Sequence, residues 1–264
     1  MAIETKIAPA ACYSPSMTRK LVCWVLLAVS ALAADSKDAK SLDIAKSMMT
    51  AMGGLDNWNR AHFVRYDFKV TIKGKQVVNR SHLWDKATGR YRIDGVTKDG
   101  KPTVALFSVA TQQGSAWVAG KKLEGAESAK AVKDAYAAYI NDMYWLSMPW
   151  KWLDMGVNLK YLGPKTLGKE SYDVVELTFG KVGLTPGDMY HAYVSPKSHL
   201  MEHWEYTLQS GAKGSWDWQY AAAGGVKLAK NHTTPEGNSI DMGAVQVLDR
   251  TDDALFTDPA KKLP

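Results

Sequence analysis

From His62 almost to the C-terminus, short runs of alternating hydrophobicity follow one another, separated by Gly, Pro or Asn. In HFVRYDFKVTIK, Val64, Tyr66, Phe68, Val70 and Ile72 fall on one side and Arg65, Asp67, Lys69 and Thr71 on the other, the period-two signature of a half-buried strand. QVVNRSHLWD and GRYRIDGV follow, joined by a Lys86-Ala87-Thr88-Gly89 turn, and TVALFSVA and SAWVAG extend the series. Further along, SYDVVELTFG, DMYHAYVS, HLMEHWEYTLQ, GSWDWQYAA, VKLAKNHT and SIDMGAVQVL repeat the pattern. A succession of about eleven short strands with small turns admits few architectures. The expected fold is mainly β (α+β): a single curved antiparallel sheet of about eleven strands forming a half-barrel.

Two segments break the pattern. In SKDAKSLDIAKSMMTAMGG, Leu42, Ala45, Met49 and Met52 recur at helical spacing, and Gly53-Gly54 supplies the stop. In ESAKAVKDAYAAYINDMYWLS, Val132, Tyr136, Tyr139, Met143 and Leu146 form an apolar stripe that Pro149 ends. Both helices are expected to plug the concave face.

The N-terminus sets the compartment. From Met17 the chain reads MTRKLVCWVLLAVSALAADS: two basic residues, an apolar core from Leu21 to Leu32, then small residues. That order is a secretory signal peptide cut after Ala33 or Ala34, with an apolar run too short to span a bilayer, which takes about 20 residues. Residues 1–34 are read as the signal peptide with an upstream extension, and residues 35–264 as one domain, periplasmic or secreted. Cleavage removes Cys12 and Cys23, leaving no thiol for a disulfide, a nucleophile or a metal ligand. It also removes three basic residues and one acidic one, so the formal charge falls from +6 to about +4, spread without a basic stripe. No nucleic-acid partner is expected.

HLMEH, residues 199–203, matches the inverted zinc-protease signature His-x-x-Glu-His. Zinc ligands at that spacing need a helix, and the surroundings alternate as a strand. Residues four apart in a strand stand roughly 13 Å apart, too far to share one ion at about 2 Å. In this alternation Leu200, Trp204, Tyr206 and Leu208 lie on one side, and His199, Met201, His203 and Glu205 on the other. No metal or cofactor is expected, and His62, His82, His191 and His232 sit in separate strand-like stretches.

NDMYWLSMPWKWLDMG concentrates Tyr144, Trp145, Met148, Trp150 and Trp152 around Pro149. Such groups either fill a core or line an apolar cavity, since Met adapts to irregular guests and Trp and Tyr add flat apolar area with a polar edge. A second aromatic set, Trp204, Tyr206, Trp216, Trp218 and Tyr220, reads as a hairpin with cross-strand packing. Tyr144, Trp145, Met148, Trp150 and Trp152 are the expected ligand-binding residues, with Trp216 and Trp218 behind them.

The N-terminal helix followed by AMGGLDNWNRAHFVRYDFKV resembles secreted bacterial proteins of the lipoprotein-carrier (LolA/LolB-like) superfamily, in which a short helix and a Gly-rich turn precede the first long strand. DMYWLSMPWKWLDMGVNLKYLGPKTLGKESYDVVELTF is similar to a stretch in uncharacterised members of that group, and the resemblance spans most of residues 38–250. It implies helices plugging an apolar cavity, and a monomeric carrier of lipid, lipoprotein acyl chains or another amphiphile, passed between envelope lipoproteins or membrane-bound donor and acceptor proteins. A carrier of this kind uses a cavity arginine; Arg65, Arg80, Arg90 and Arg92 all lie in strand segments, and no motif singles one out. No lipid-attachment cysteine is present, which disfavours the membrane-anchored branch. Two other readings remain: a hydrolase using His191, His199 and His203 with Glu202 or Glu205, metal-dependent or not, and a structural envelope protein whose core is filled by its own aromatics.

Overall fold

The computed structural model describes residues 35–264. The segment expected to be a signal peptide, with Cys12 and Cys23, lies outside the described residues.

Two short helices, α1 (Ala39–Ala51) and α2 (Leu55–Arg60), lead into a six-strand meander: β1 (Phe63–Ile72), β2 (Lys75–Asp85), β3 (Arg90–Val96), β4 (Pro102–Ser108), β5 (Gly114–Val118) and β6 (Lys121–Lys122). The long helix α3 (Gly125–Ser147) and a 3-10 turn at Met148–Lys151 follow. A second meander runs back: β7 (Val157–Leu167), β8 (Glu170–Phe179), β9 (Met189–Val194), β10 (Met201–Thr207), β11 (Lys213–Ala223), β12 (Val226–Thr233), β13 (Ser239–Asp241) and β14 (Gln246–Leu248). The order across the sheet is β6-β5-β4-β3-β2-β1-β13-β12-β11-β10-β9-β8-β7, with β14 also on β1, and every strand pair is antiparallel. The edges β6 and β7 stay unpaired with each other, so the sheet is open, and α3 carries the chain from one edge to the other.

Two ring contacts show that the sheet is curved. Tyr136 of α3 meets Phe107 of β4, with ring centres 6.4 Å apart, and Tyr144 meets Phe179 of β8 at 6.3 Å. Those strands are nine steps apart, about 43 Å along the sheet at roughly 4.8 Å per step. The two tyrosines are only about 12 Å apart along the helix. Only a sheet curled around α3 brings both contacts within reach.

The strand count exceeds the expected eleven for local reasons. SIDMGAVQVL breaks into β13 and β14, which pair with opposite ends of β1. Between them Asp67 N donates to Met242 O. β7 was not among the expected strands; Gly163 and Pro164 interrupt its pattern, and an edge strand tolerates a proline that a central one would not.

The concave face buries the main core. Val64, Tyr66 and Phe68 of β1 join Met48 and Met49 of α1, Met52 at its C-cap, Trp150 and Trp152, and the inward residues of β8 to β12. A second cluster, Tyr91, Ile93 and Phe107 with Val132, Tyr139 and Met143, packs α3 onto β3–β5. On the convex side Phe63 and Leu83 receive Leu255 and Phe256 of the C-terminal segment. Asp38 caps α1 by accepting from Ser41 N at 2.8 Å, and that bond holds its carboxyl below the usual carboxylate range. Gly53 closes α1 at φ 111°, where a side chain would also run into the carbonyl of Gly225. Among the described residues no helix is long and apolar enough to cross a membrane.

Candidate functional site

α3 lies along the floor of the curved sheet with one stripe, Val132, Tyr139, Met143 and Leu146, turned into the core. At 100° per residue, Ala131, Asp134 and Ala135 project to one flank of that stripe, and Ala137, Ile140, Asn141 and Tyr144 to the other. A cavity lies along each flank. The first, about 700 Å³, opens between α3 and β2–β5, and Gln76, Asn79, Thr97, Lys98 and Asp134 make its walls partly polar. The second, about 350 Å³, lies between α3 and β8–β10.

The second cavity is aromatic. Tyr144, Trp145, Phe179, Tyr190, Trp204 and Tyr206 converge on it, and Val182, Leu184 and Leu208 complete the apolar wall. Alternation produces this convergence. Tyr190 pairs with Tyr206, and Ala192 with Trp204, so β9 and β10 present a continuous inward row. Tyr190 stacks on Trp204 at 4.8 Å, and Trp145 meets Trp204 edge-on at 4.6 Å. Gly214, opposite Tyr206, leaves room for the phenol, which a Cβ there would strike. Burial raises the Tyr144 and Tyr190 hydroxyls well above the ordinary phenol range, so both stay neutral donors. Its one charged side chain is Asp188, itself buried.

The seven residues expected to bind ligand separate into three places. Tyr144 and Trp145 border the aromatic cavity. Trp216 and Trp218 stand behind it, packed on Trp145 at 5.4 Å and 6.2 Å. Met148, Trp150 and Trp152 lie in the closed core, where Trp150 donates to Lys227 O and Trp152 packs its indole N–H against the Met148 sulfur. Tyr190, Trp204, Phe179 and Asp188 were not among the expected ligand-binding residues. The period-two pattern of their strands puts Tyr190 and Trp204 on the inward face; nothing in the sequence marks Asp188.

The helix is fixed to the sheet by a buried charge cluster. Arg80 of β2 donates from Nε and Nη2 to Asp142 of α3 at 2.7 Å and 2.9 Å, and His82 Nε2 stands 3.1 Å from the same carboxylate. The other His82 nitrogen is 3.1 Å from the Tyr91 hydroxyl, which is 2.8 Å from that of Tyr66. Burial pushes the His82 imidazole below its ordinary value and lifts both phenols. Of the four strand arginines, Arg80 faces α3. Arg65 pairs with Asp67 and Arg92 with Asp94, and Arg92 also holds carbonyls of the C-terminal segment; Arg90 pairs with Asp85.

Beside the cavity lies a second buried polar group, and this one lacks conventional hydrogen bonds. Among the described residues, four of the five buried side-chain nitrogens that lack a hydrogen bond belong to Trp204, Trp218 and His232. Their rings meet edge to face, Trp204 with Trp218 at 4.9 Å and Trp218 with His232 at 4.3 Å. In that geometry an N–H can use a neighbouring π-face as a weak acceptor. Burial drives the His232 pKa down to about 3.

HLMEH does not assemble a metal set. His199 lies in the turn before β10 with φ 56°, His203 pairs with Asp217 at 2.7 Å, and Glu202 accepts from Ser198 and Tyr172. The pairing register shifts between Met201 and His203, and that bulge reverses the expected alternation: Met201 turns into the core instead of lying with His203. His191 stands between Glu176 and Glu205. Among the described residues no three His, Cys, Asp or Glu side chains are placed to hold a metal ion.

A family of unknown function, DUF6503, matches residues 121–224, less than half of the chain but including every residue that lines the aromatic cavity. No curated protein matches the sequence. Among solved structures, a DUF1329 family protein from Desulfovibrio piger is similar at 12% identity, covering 83% of this chain and 98% of its own, with a TM-score of 0.45. A domain described as outer membrane lipoprotein-sorting, from Vibrio parahaemolyticus, is similar at 10% identity, 82% and 96% coverage and a TM-score of 0.44. A LolA superfamily protein from Nitrosomonas europaea is similar at 11% identity, 79% and 96% coverage and a TM-score of 0.41. Two of the three, the lipoprotein-sorting domain and the LolA superfamily protein, carry names from the group that the sequence resembles.

Proposed function

We propose that this chain is a non-enzymatic binding or carrier protein for a lipid or other amphiphile, held between α3 and the inward faces of β8–β10. The observation that carries this reading is the 350 Å³ cavity, walled by six aromatic rings and by Val182, Leu184 and Leu208. Its size falls at the lower end of small-molecule sites, about 300–1,000 Å³. Val182 and Leu184, in the loop after β8, remain exposed at its border, apolar surface that an occupant or a membrane would cover. With the predicted signal peptide, the reading sets the protein in the periplasm, exchanging its cargo with envelope donors and acceptors.

A series of uncharged alkyl alcohols of increasing length, competing against a fluorescent alkyl probe, tests it. Burial contributes ~0.8 kcal/mol per methylene, so affinity rises about fourfold per added carbon until the cavity is full. Ile140→Trp, which places an indole in the cavity wall, removes that binding while leaving the fold intact. Failure of the delipidated protein to take up any alkyl probe contradicts the reading and favours a core filled by its own side chains.

A further inference from the structure

Three buried carboxylates occur among the described residues: Asp85, Asp142 and Asp188. Two have cations beside them, since Arg90 reaches Asp85 at 2.8 Å and Arg80 reaches Asp142 at 2.7 Å. Asp188 has none. Its Oδ1 accepts from the Gln209 backbone N–H at 2.9 Å and its Oδ2 from the Tyr190 hydroxyl at 3.3 Å, both neutral donors. Buried charges are ordinarily paired with an opposite charge or a metal, and Asp188 lines the aromatic cavity, where no Lys, Arg or His contributes to the wall.

The rings around it supply the complementary chemistry. Aromatic faces attract cations through their quadrupole, most strongly for Trp and Tyr and in a site stripped of water. Tyr144, Tyr190, Trp204 and Tyr206 form a contiguous set, with Tyr190 5.7 Å from Tyr144, 4.8 Å from Trp204 and 6.4 Å from Tyr206. An anionic headgroup entering this cavity would meet one carboxylate and several negative ring faces, and no positive charge.

We infer that the aromatic cavity selects an organic cation, a protonated amine or quaternary ammonium carried on an apolar body, with Asp188 as its counter-ion and Tyr144, Trp145, Tyr190, Trp204 and Tyr206 as its cage. This rests on the amphiphile-binding reading and specifies the headgroup. The apolar body lies against Ile140 and Leu208 and leaves past Val182 and Leu184.

The test compares three ligands that share a twelve-carbon chain, below their micelle concentrations: dodecyltrimethylammonium, dodecanoate and dodecanol, followed by calorimetry and tryptophan fluorescence. The expected result is roughly tenfold tighter binding of the trimethylammonium compound than of dodecanoate, a preference that Asp188→Asn abolishes. Equal affinities, or a preference for dodecanoate, overturn the cation assignment and leave the amphiphile reading standing. Binding of none of the three removes both. Tetramethylammonium alone separates the sources: saturable binding assigns the site to free organic cations as well as amine lipids, and its absence beside tight dodecyltrimethylammonium binding restricts it to lipid-borne ones. The headgroup comparison is made on the wild-type chain, so it decides the matter even where the Asn variant fails to fold.

Discussion

Arg80 of β2 holds Asp142 of α3 through two parallel hydrogen bonds at 2.7 Å and 2.9 Å, with the carboxylate fully buried. This pair ties the crossing helix to the middle of the sheet, and His82, Tyr91 and Tyr66 extend it inward. Removing one partner of such a pair leaves an uncompensated charge inside the protein. Arg80→Met is therefore expected to cost about 3–5 kcal/mol. The double replacement Arg80→Met with Asp142→Leu should recover much of that loss, which denaturant titration of the two variants measures. Equal losses in both would show that the pair is not what fixes the helix.

His232 makes stability depend on pH. Its folded-state pKa is about 3, below the ordinary imidazole value near 6.5 that the unfolded chain retains. As pH falls below 6.5 the unfolded chain takes up the proton first, so the stabilisation present above 6.5 is lost progressively toward pH 3. Each such group steepens the loss by about 1.4 kcal/mol per pH unit. His232→Phe should flatten the slope between pH 6.5 and 5, above the ordinary carboxylate range, by about that amount. Urea midpoints at three pH values in the window measure it, and an unchanged slope refutes the assignment.

Core and cavity residues should separate in their effects. Trp152 is fully buried away from the cavity, so Trp152→Ala should cost about 3–5 kcal/mol. Ligand affinity, measured on the fraction that remains folded, should hardly move. Tyr206→Ala at the cavity wall should do the reverse. Thermal melts paired with probe titrations would reveal either pattern.

Gly53 marks a backbone requirement. At φ 111°, with the Gly225 carbonyl where a Cβ would sit, Gly53→Ala forces α1 away from the start of β12. Strain of this kind costs on the order of 1–3 kcal/mol. A melting temperature unchanged by Gly53→Ala would contradict the close approach.

Much of the fold was legible because strands and helices write different periods. Val64 to Ile72 and the stripe from Val132 to Leu146 fall where alternation and helical spacing put them. What was hidden depends on neighbours. β7 carries Gly163 and Pro164, acceptable only because it is an edge, and being an edge is a property of the whole sheet. The bulge at Met201 sends that residue inward against its local pattern. The site divided in the same way: composition drew attention to the Tyr144–Trp152 segment, yet only the path of α3 decides that Tyr144 and Trp145 reach the cavity while Trp150 and Trp152 close the core. Asp188 is ordinary in sequence, and its interest lies in the cation it lacks.

The central claim is that the aromatic cavity holds an amphiphile. Native mass spectrometry of the mature protein, purified from an exporting host without detergent, tests it most directly when the same sample is extracted with organic solvent. The account predicts a bound species of defined mass that the solvent releases and that Ile140→Trp prevents. A clean ligand-free mass for the wild type, together with no uptake of an added alkyl ligand, would contradict it.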